Sequence, residues 1–191
     1  LGTDTNSSLR YPAVLNGCVS LRPTFDLVSR DGVILLNGKR DVTGAITRTV
    51  YDQAVMLDAI TGGIYSFTER LDSASLKDAR LGVIKELSYP YGSAERSSVN
   101  FDSEISAAFE KALSELKECG AEIVEVSLPR IFSMSSACSE SYSNSVAAKD
   151  KFYEAYKALF ESENLTAVVF PSYVTAPLYT GVTPDGALKV Y

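Results

Sequence analysis

The chain has 191 residues, 46% of them hydrophobic and 22% charged, which is enough to close a large domain core and too apolar for global disorder. Lysine and arginine number 18 against 24 aspartates and glutamates, a formal charge of −6 with no basic stripe, so a nucleic-acid groove is disfavoured. No apolar run approaches the ~20 residues of a membrane-spanning helix. Histidine is absent altogether, which excludes from these residues any Ser-His-Asp or Cys-His mechanism and any imidazole-bound metal.

Taken in chain order, the opening "LGTDTNSSLRYPA" is a crowded polar loop, and the stretch into "LNGC" has the composition of a short helical turn. "CVSLRPT" reads as a short strand closed by Pro23, and "RDGVILLNGKRD" as a strand between turn signals, with Asn37-Gly38 the strongest of them. Residues 47 to 61 place Val50, Ala54, Leu57 and Ile60 at helical spacing, with Thr49 and Asp52 as a capping pair and Gly62-Gly63 as the stop. "RLGVIKEL" is a buried strand.

A long amphipathic helix follows from about Asp102 to Cys119, its stripe formed by Ile105, Ala108, Phe109, Ala112, Leu113 and Leu116. Gly120 stops it, and "EIVEVSL" is the next strand. The serine-rich patch at residues 133 to 145 reads as a solvated loop, with a helix entry as its alternative. A second helix near residues 145 to 162 buries Phe152, Ala155, Tyr156, Leu159 and Phe160, then "TAVVFPSYV" is a strand broken by Pro171. Strand, helix, strand, helix, strand predicts an α/β fold with a mixed, largely parallel sheet flanked by helices. Cys18, Cys119 and Cys138 are too few and too unevenly spaced for a disulfide framework or a zinc knuckle, and read as reduced structural thiols. No signal or transit segment is legible at the start, and no compartment follows from that.

The ordered blocks "GTDTNSSLRYPA", "GCVSLRPTF", "VSRDGVILL" and "GAITRTVYDQAVMLDAI" resemble the signature region of the amidase signature enzymes. "LGVIKE" and "ALSELKECGAEIVEVSLP" resemble the strand and helix that follow it, and residues 152 to 177 more weakly resemble a late helix and strand. The resemblance implies the amidase signature fold in part, with 1–191 as the C-terminal portion of a single amidase domain. It implies an amidohydrolase that cleaves a carboxylic amide through an acyl-serine intermediate, with no metal and no cofactor. In that family a lysine acts as base through a bridging serine held by a cis peptide, and a second serine attacks the carbonyl, a variant that needs no histidine.

Carried over by position, Ser8 is the nucleophile and the backbone amides of Thr5, Asn6, Ser7 and Ser8 are the oxyanion hole. Thr3, Asp4 and Arg10 are supporting residues of the loop. The lysine and bridging serine have no counterpart in this chain, since Lys39 lies downstream in a turn and reads as solvent-facing. The expected partners are therefore a small-molecule amide and the missing N-terminal part of the same protein, without which the chain alone does not hydrolyse amides. No direct nucleic-acid partner and no membrane span are expected, and the sequence does not specify an oligomer.

Several residues depart from the family pattern. Asn6 and Ser7 replace a Gly-Gly pair, Ser20 and Asp26 replace glycines, and Leu35 and Ala45 replace prolines, while the stretch before the late helix is short. Two alternatives stand beside the hydrolase: the amidase subunit of an aminoacyl-tRNA amidotransferase complex, and a catalytically inactive amidase-like binding or scaffold protein.

Overall fold

The computed structural model describes residues 1–89, 101–128 and 142–174, with burial assigned to all of these except 142–148. The chain divides into two compact units, Leu1–Ala74 and Ser75–Tyr191.

The first unit is built from two short antiparallel ribbons and three helices. Strand β1 (Gly2–Asp4) pairs with β3 (Val42–Gly44), setting Gly2 opposite Gly44, Thr3 opposite Thr43 and Asp4 opposite Val42. Strand β2 (Val19–Ser20) pairs with β4 (Ile46–Thr47). Helix α1 (Arg10–Leu15) follows the opening loop, as its composition predicts.

Helix α2 (Val50–Ile60) starts where the Thr49 side chain accepts the Asp52 N–H at 3.0 Å, the expected cap. It buries Gln53, Ala54 and Leu57 and stops at the left-handed pair Gly62-Gly63. Val50, expected in its apolar stripe, is exposed instead. Helix α3 (Phe67–Leu71) has no cap of its own; the Asp58 carboxylate takes the Phe67 N–H at 2.6 Å and the Thr68 N–H at 3.2 Å from nine and ten residues away.

The expected strand in "RDGVILLNGKRD" does not form. Residues 30 to 41 are turns and irregular backbone, and Ile34 is 99% exposed. The reason is a competing acceptor: the Asp41 carboxylate takes the Leu36 N–H at 2.6 Å and the Asn37 N–H at 2.8 Å, donors that a ladder would have needed.

The second unit carries the parallel sheet. Strand β5 (Arg80–Ile84) is central, with β6 (Glu122–Val126) and β7 (Ala167–Val169) parallel on either side. Among its described residues the helices are α4 (Lys85–Ser88), α5 (Ser103–Glu118) and α6 (Tyr142–Glu163). As the central strand, β5 is apolar after Arg80, and Leu81, Val83 and Ile84 are all buried.

Alternation along β5 feeds two apolar clusters. Ile84 joins Val126, Leu128 and Leu159, with Phe152, Ala155 and Tyr156 of α6 packed against them. Leu81 joins Ala79 and Ala121, with Leu116 of α5 against them. A parallel sheet flanked by helices is thus the observed architecture, as the strand-helix rhythm predicts. Gly82 is the close approach on the Ile84 side, where an added Cβ would stand 2.8 Å from Leu165 Cδ1.

Helix α5 starts at Asp102, whose side chain accepts the Glu104 N–H at 2.8 Å, and ends at Gly120 with φ of 98°. Of its expected stripe, Leu113 is buried and Ile105, Phe109 and Leu116 half-buried, while Ala108 and Ala112 face outward. Helix α6 begins at Tyr142, so residues 142 to 145 of the serine-rich patch are helical, the entry alternative. Residues 133 to 141 of that patch, and Cys138 with them, lie outside the described residues. Cys18 and Cys119 carry free thiols, and Cys119 is exposed rather than structural.

Candidate active site

The loop from Gly2 to Arg10 is organised by one carboxylate. Asp4, at the end of β1, is fully buried; one of its oxygens accepts the Ser7 N–H at 2.7 Å and the other the Leu9 N–H at 3.3 Å. Arg10 returns from the first turn of α1 to donate to both oxygens, Nε at 3.0 Å and a terminal nitrogen at 3.2 Å, and the Arg22 Nε lies 3.6 Å away. A bidentate guanidinium is the donor geometry a buried carboxylate needs. Burial pushes the Asp4 carboxyl upward, but the Arg10 hydrogen bonds and the Ser7 and Leu9 amides outweigh it and hold the group below the ordinary carboxylate range.

Two small residues make room for this loop. Leu9, buried beside Asp4, lies against Gly2 and Gly44, and a Cβ on Gly44 would stand 2.7 Å from Leu9 Cδ1 and 2.8 Å from the Leu21 carbonyl oxygen. Glycine at that position is what lets β3 approach the loop.

Around Asp4 the predicted site residues come together on one short segment. Thr3 is exposed on β1, Thr5 is half-buried, and Asn6 and Ser8 are exposed. Ser7 holds φ of 87°, the left-handed geometry a glycine would supply at this position. Asp26, the other non-glycine singled out in the signature blocks, likewise has φ of 65°, whereas Ser20 sits in β2 and donates its hydroxyl to the Ala45 carbonyl at 3.0 Å. The backbone geometry is therefore kept at Ser7 and Asp26 at a strain of about 1 kcal/mol each.

The Ser7 N–H, expected among the oxyanion donors, is committed to Asp4. The N–H groups of Thr5, Asn6 and Ser8 make no hydrogen bond among the described residues. Tyr11 N–H donates to the Ser7 carbonyl at 2.7 Å, which closes the turn, and Ser8 is exposed on it.

Three side chains that the sequence does not single out grip the same loop. Asp41, 2% exposed, accepts the Thr5 hydroxyl at 2.6 Å. Arg40 donates to the Asn6 side-chain oxygen, and its own carbonyl accepts from Arg22 at 2.6 Å. Burial raises the Asp41 carboxyl, but the Thr5 hydroxyl and the Asn37 and Leu36 amides bring it below the ordinary range. Lys39, next to this pair, is exposed, as expected.

The family model described as Amidase matches residues 1–177. A glutamyl-tRNA(Gln) amidotransferase subunit of Picosynechococcus sp. is 36% identical over 143 residues, which are 68% of this chain and 28% of that protein. The protein of the same name from Geobacter sulfurreducens is 40% identical over 144 residues, 68% of this chain and 27% of its own length. The chain thus spans little more than a quarter of the length of the curated relatives it matches.

Among solved structures, the native peptide amidase of Stenotrophomonas maltophilia superposes with a TM-score of 0.56 at 28% identity, over 86% of this chain and 33% of that one. A fatty acid amide hydrolase superposes at 0.59 with 16% identity over 89% of this chain and 39% of the other, a likeness of fold.

Proposed function

The chain belongs to the amidase family, and on that premise we propose that it carries the nucleophile and oxyanion cradle of a carboxylic-amide hydrolase. The observation that carries this reading is the Asp4 clamp: it spends the Ser7 and Leu9 amides on holding a turn on which Ser8 is exposed and the Thr5, Asn6 and Ser8 N–H groups make no hydrogen bond among the described residues.

In the reaction, the Ser8 Oγ attacks the amide carbonyl carbon and gives up its proton to a base. The C–O bond forms, and negative charge moves onto the former carbonyl oxygen, where the Thr5, Asn6 and Ser8 amides receive it. The tetrahedral species collapses with cleavage of the C–N bond, the departing ammonia or amine takes a proton, and water then releases the acid from the acyl-serine. Ser7 turns the chain, and Thr3 and Arg10 brace it with Asp4. Each donor in such a cradle is worth roughly a hundredfold to a thousandfold in turnover.

The family's base, a lysine acting through a bridging serine, has no counterpart at the matched positions of these residues, and we assign it to the part of the protein that the relatives have and this chain does not cover. The substrate in this reading is a small-molecule carboxylic amide.

A second reading is favoured by the amidotransferase relatives at 36 and 40% identity: the same Ser8 chemistry, run by one component of a multi-subunit amidotransferase. Activity that appears only when the other components are added would select it. Of the three residues that motivate a silent scaffold, Ser7 and Asp26 keep the backbone turn that glycine would provide, while Ser20 sits in β2.

A fluorophosphonate probe tests the nucleophile. The full-length protein is expected to be labelled and its Ser8→Ala variant to stay unlabelled; labelling that persists in Ser8→Ala overturns the assignment.

A further inference from the structure

We propose that Asp41 is a positioning residue for the nucleophile loop, acting on it through the Thr5 hydroxyl; this rests on the reading of Ser8 and its neighbouring amides given above.

Asp41 stands 36 residues from Thr5 in sequence, between the quoted signature blocks, yet the two side chains meet at 2.6 Å. The carboxylate is buried and carries three donors at once: the Thr5 hydroxyl on one oxygen, the Leu36 and Asn37 amides on the other. The two amides fix the carboxylate in the turn, so its remaining oxygen is a rigid anchor for whatever it holds on the loop. Asp4 grips the loop at Ser7, Leu9 and Arg10, all after Thr5 and Asn6 in the chain. Besides the Asp41 bond to Thr5, the side-chain contact on Thr5 and Asn6 among the described residues is that of Arg40 to the Asn6 side-chain oxygen.

Cradle amides stabilise an oxyanion only when their N–H vectors already point at it, and a misplacement of about 1 Å is worth around a hundredfold in rate. A short hydrogen bond to an ionised, immobile carboxylate is the kind of restraint that holds such a vector.

The test measures the rate of fluorophosphonate labelling of Ser8 in the full-length protein, with its dependence on probe concentration, for Thr5→Val, Thr5→Ser, Asp41→Asn and the double variant Thr5→Val/Asp41→Asn. Thr5→Val keeps the shape and removes the hydroxyl. It is expected to slow the labelling step about tenfold to a hundredfold at an unchanged half-saturating probe concentration, with Thr5→Ser near the wild-type rate. Because both residues act through one contact, the double variant is expected to be no slower than the slower single variant.

A wild-type rate in Thr5→Val, or losses that multiply in the double variant, overturns the proposal. Should Asp41→Asn fail to fold, the Thr5→Val and Thr5→Ser pair decides the matter alone. Labelling that survives Ser8→Ala removes the nucleophile reading and this proposal with it, whereas Ser8-dependent labelling that ignores Thr5 removes this proposal only.

Discussion

Within residues 1 to 10 the buried side chains are a carboxylate, Asp4, and the leucine beside it, whereas the buried side chains of strand β5 are Leu81, Val83 and Ile84. The loop is held by directed, charge-assisted hydrogen bonds that specify where each amide points. The strand is held by area: a fully buried aliphatic side chain contributes about 1.5–3 kcal/mol whatever its exact neighbours. Directed polar contacts thus organise the loop and apolar burial the strand, a division that mutation and acid can separate.

The largest effect is expected on the sheet side. Ile84→Ala opens a cavity in the cluster with Val126, Leu128 and Leu159 and is expected to cost about 3–4 kcal/mol, read by chemical denaturation. Hydrogen exchange in β5 and β6 should rise with it.

Asp4→Asn comes next. It leaves Arg10 without its counter-charge and one oxygen to serve the Ser7 and Leu9 amides; with Arg10 half-exposed, about 2–3 kcal/mol is expected, the low end for a broken buried pair. Exchange should rise across residues 2 to 10 while β5 keeps its protection, and a uniform loss in both regions would erase the distinction drawn above.

Acid probes the same contrast more gently. Asp4 and Asp41 are both held below the ordinary aspartate value of about 3.9, so their contribution is complete above that value and is lost as pH falls through their lower folded-state values. Exchange in residues 2 to 10 and 36 to 41 should therefore be flat from pH 7 to about pH 4, once corrected for intrinsic rates, and climb below it. A climb that begins above that value would contradict the direction of both shifts.

The smallest effect is local to a helix end. Asp102→Ala removes the cap that takes the Glu104 N–H and is expected to cost about 1 kcal/mol, seen as fraying of the first turn of α5.

The same contrast governs what could be read from the residues alone. Helix α5 is legible because a 3.6-residue apolar repeat and a terminal glycine agree with one another, and the β5 strand because its apolar run must be buried. The segment from Arg30 to Asp41 misleads for the opposite reason. Its apolar run looks like a strand, and nothing nearby reveals that Asp41 will take the Leu36 and Asn37 amides. Asp41, Arg22 and Arg40 are invisible as loop anchors because their partners lie 18 to 36 residues away in sequence. At Ser7 and Asp26 a faint signal did exist: a polar residue standing where glycine is the rule marks a backbone that needs positive φ, and the chain meets that need.

The most direct measurement is the position of the adduct. After fluorophosphonate treatment of the full-length protein, tandem mass spectrometry of the peptide ending at Arg10 is predicted to place the added phosphonyl group on Ser8. An adduct on the adjacent Ser7, or on a serine elsewhere in the protein, would contradict the account.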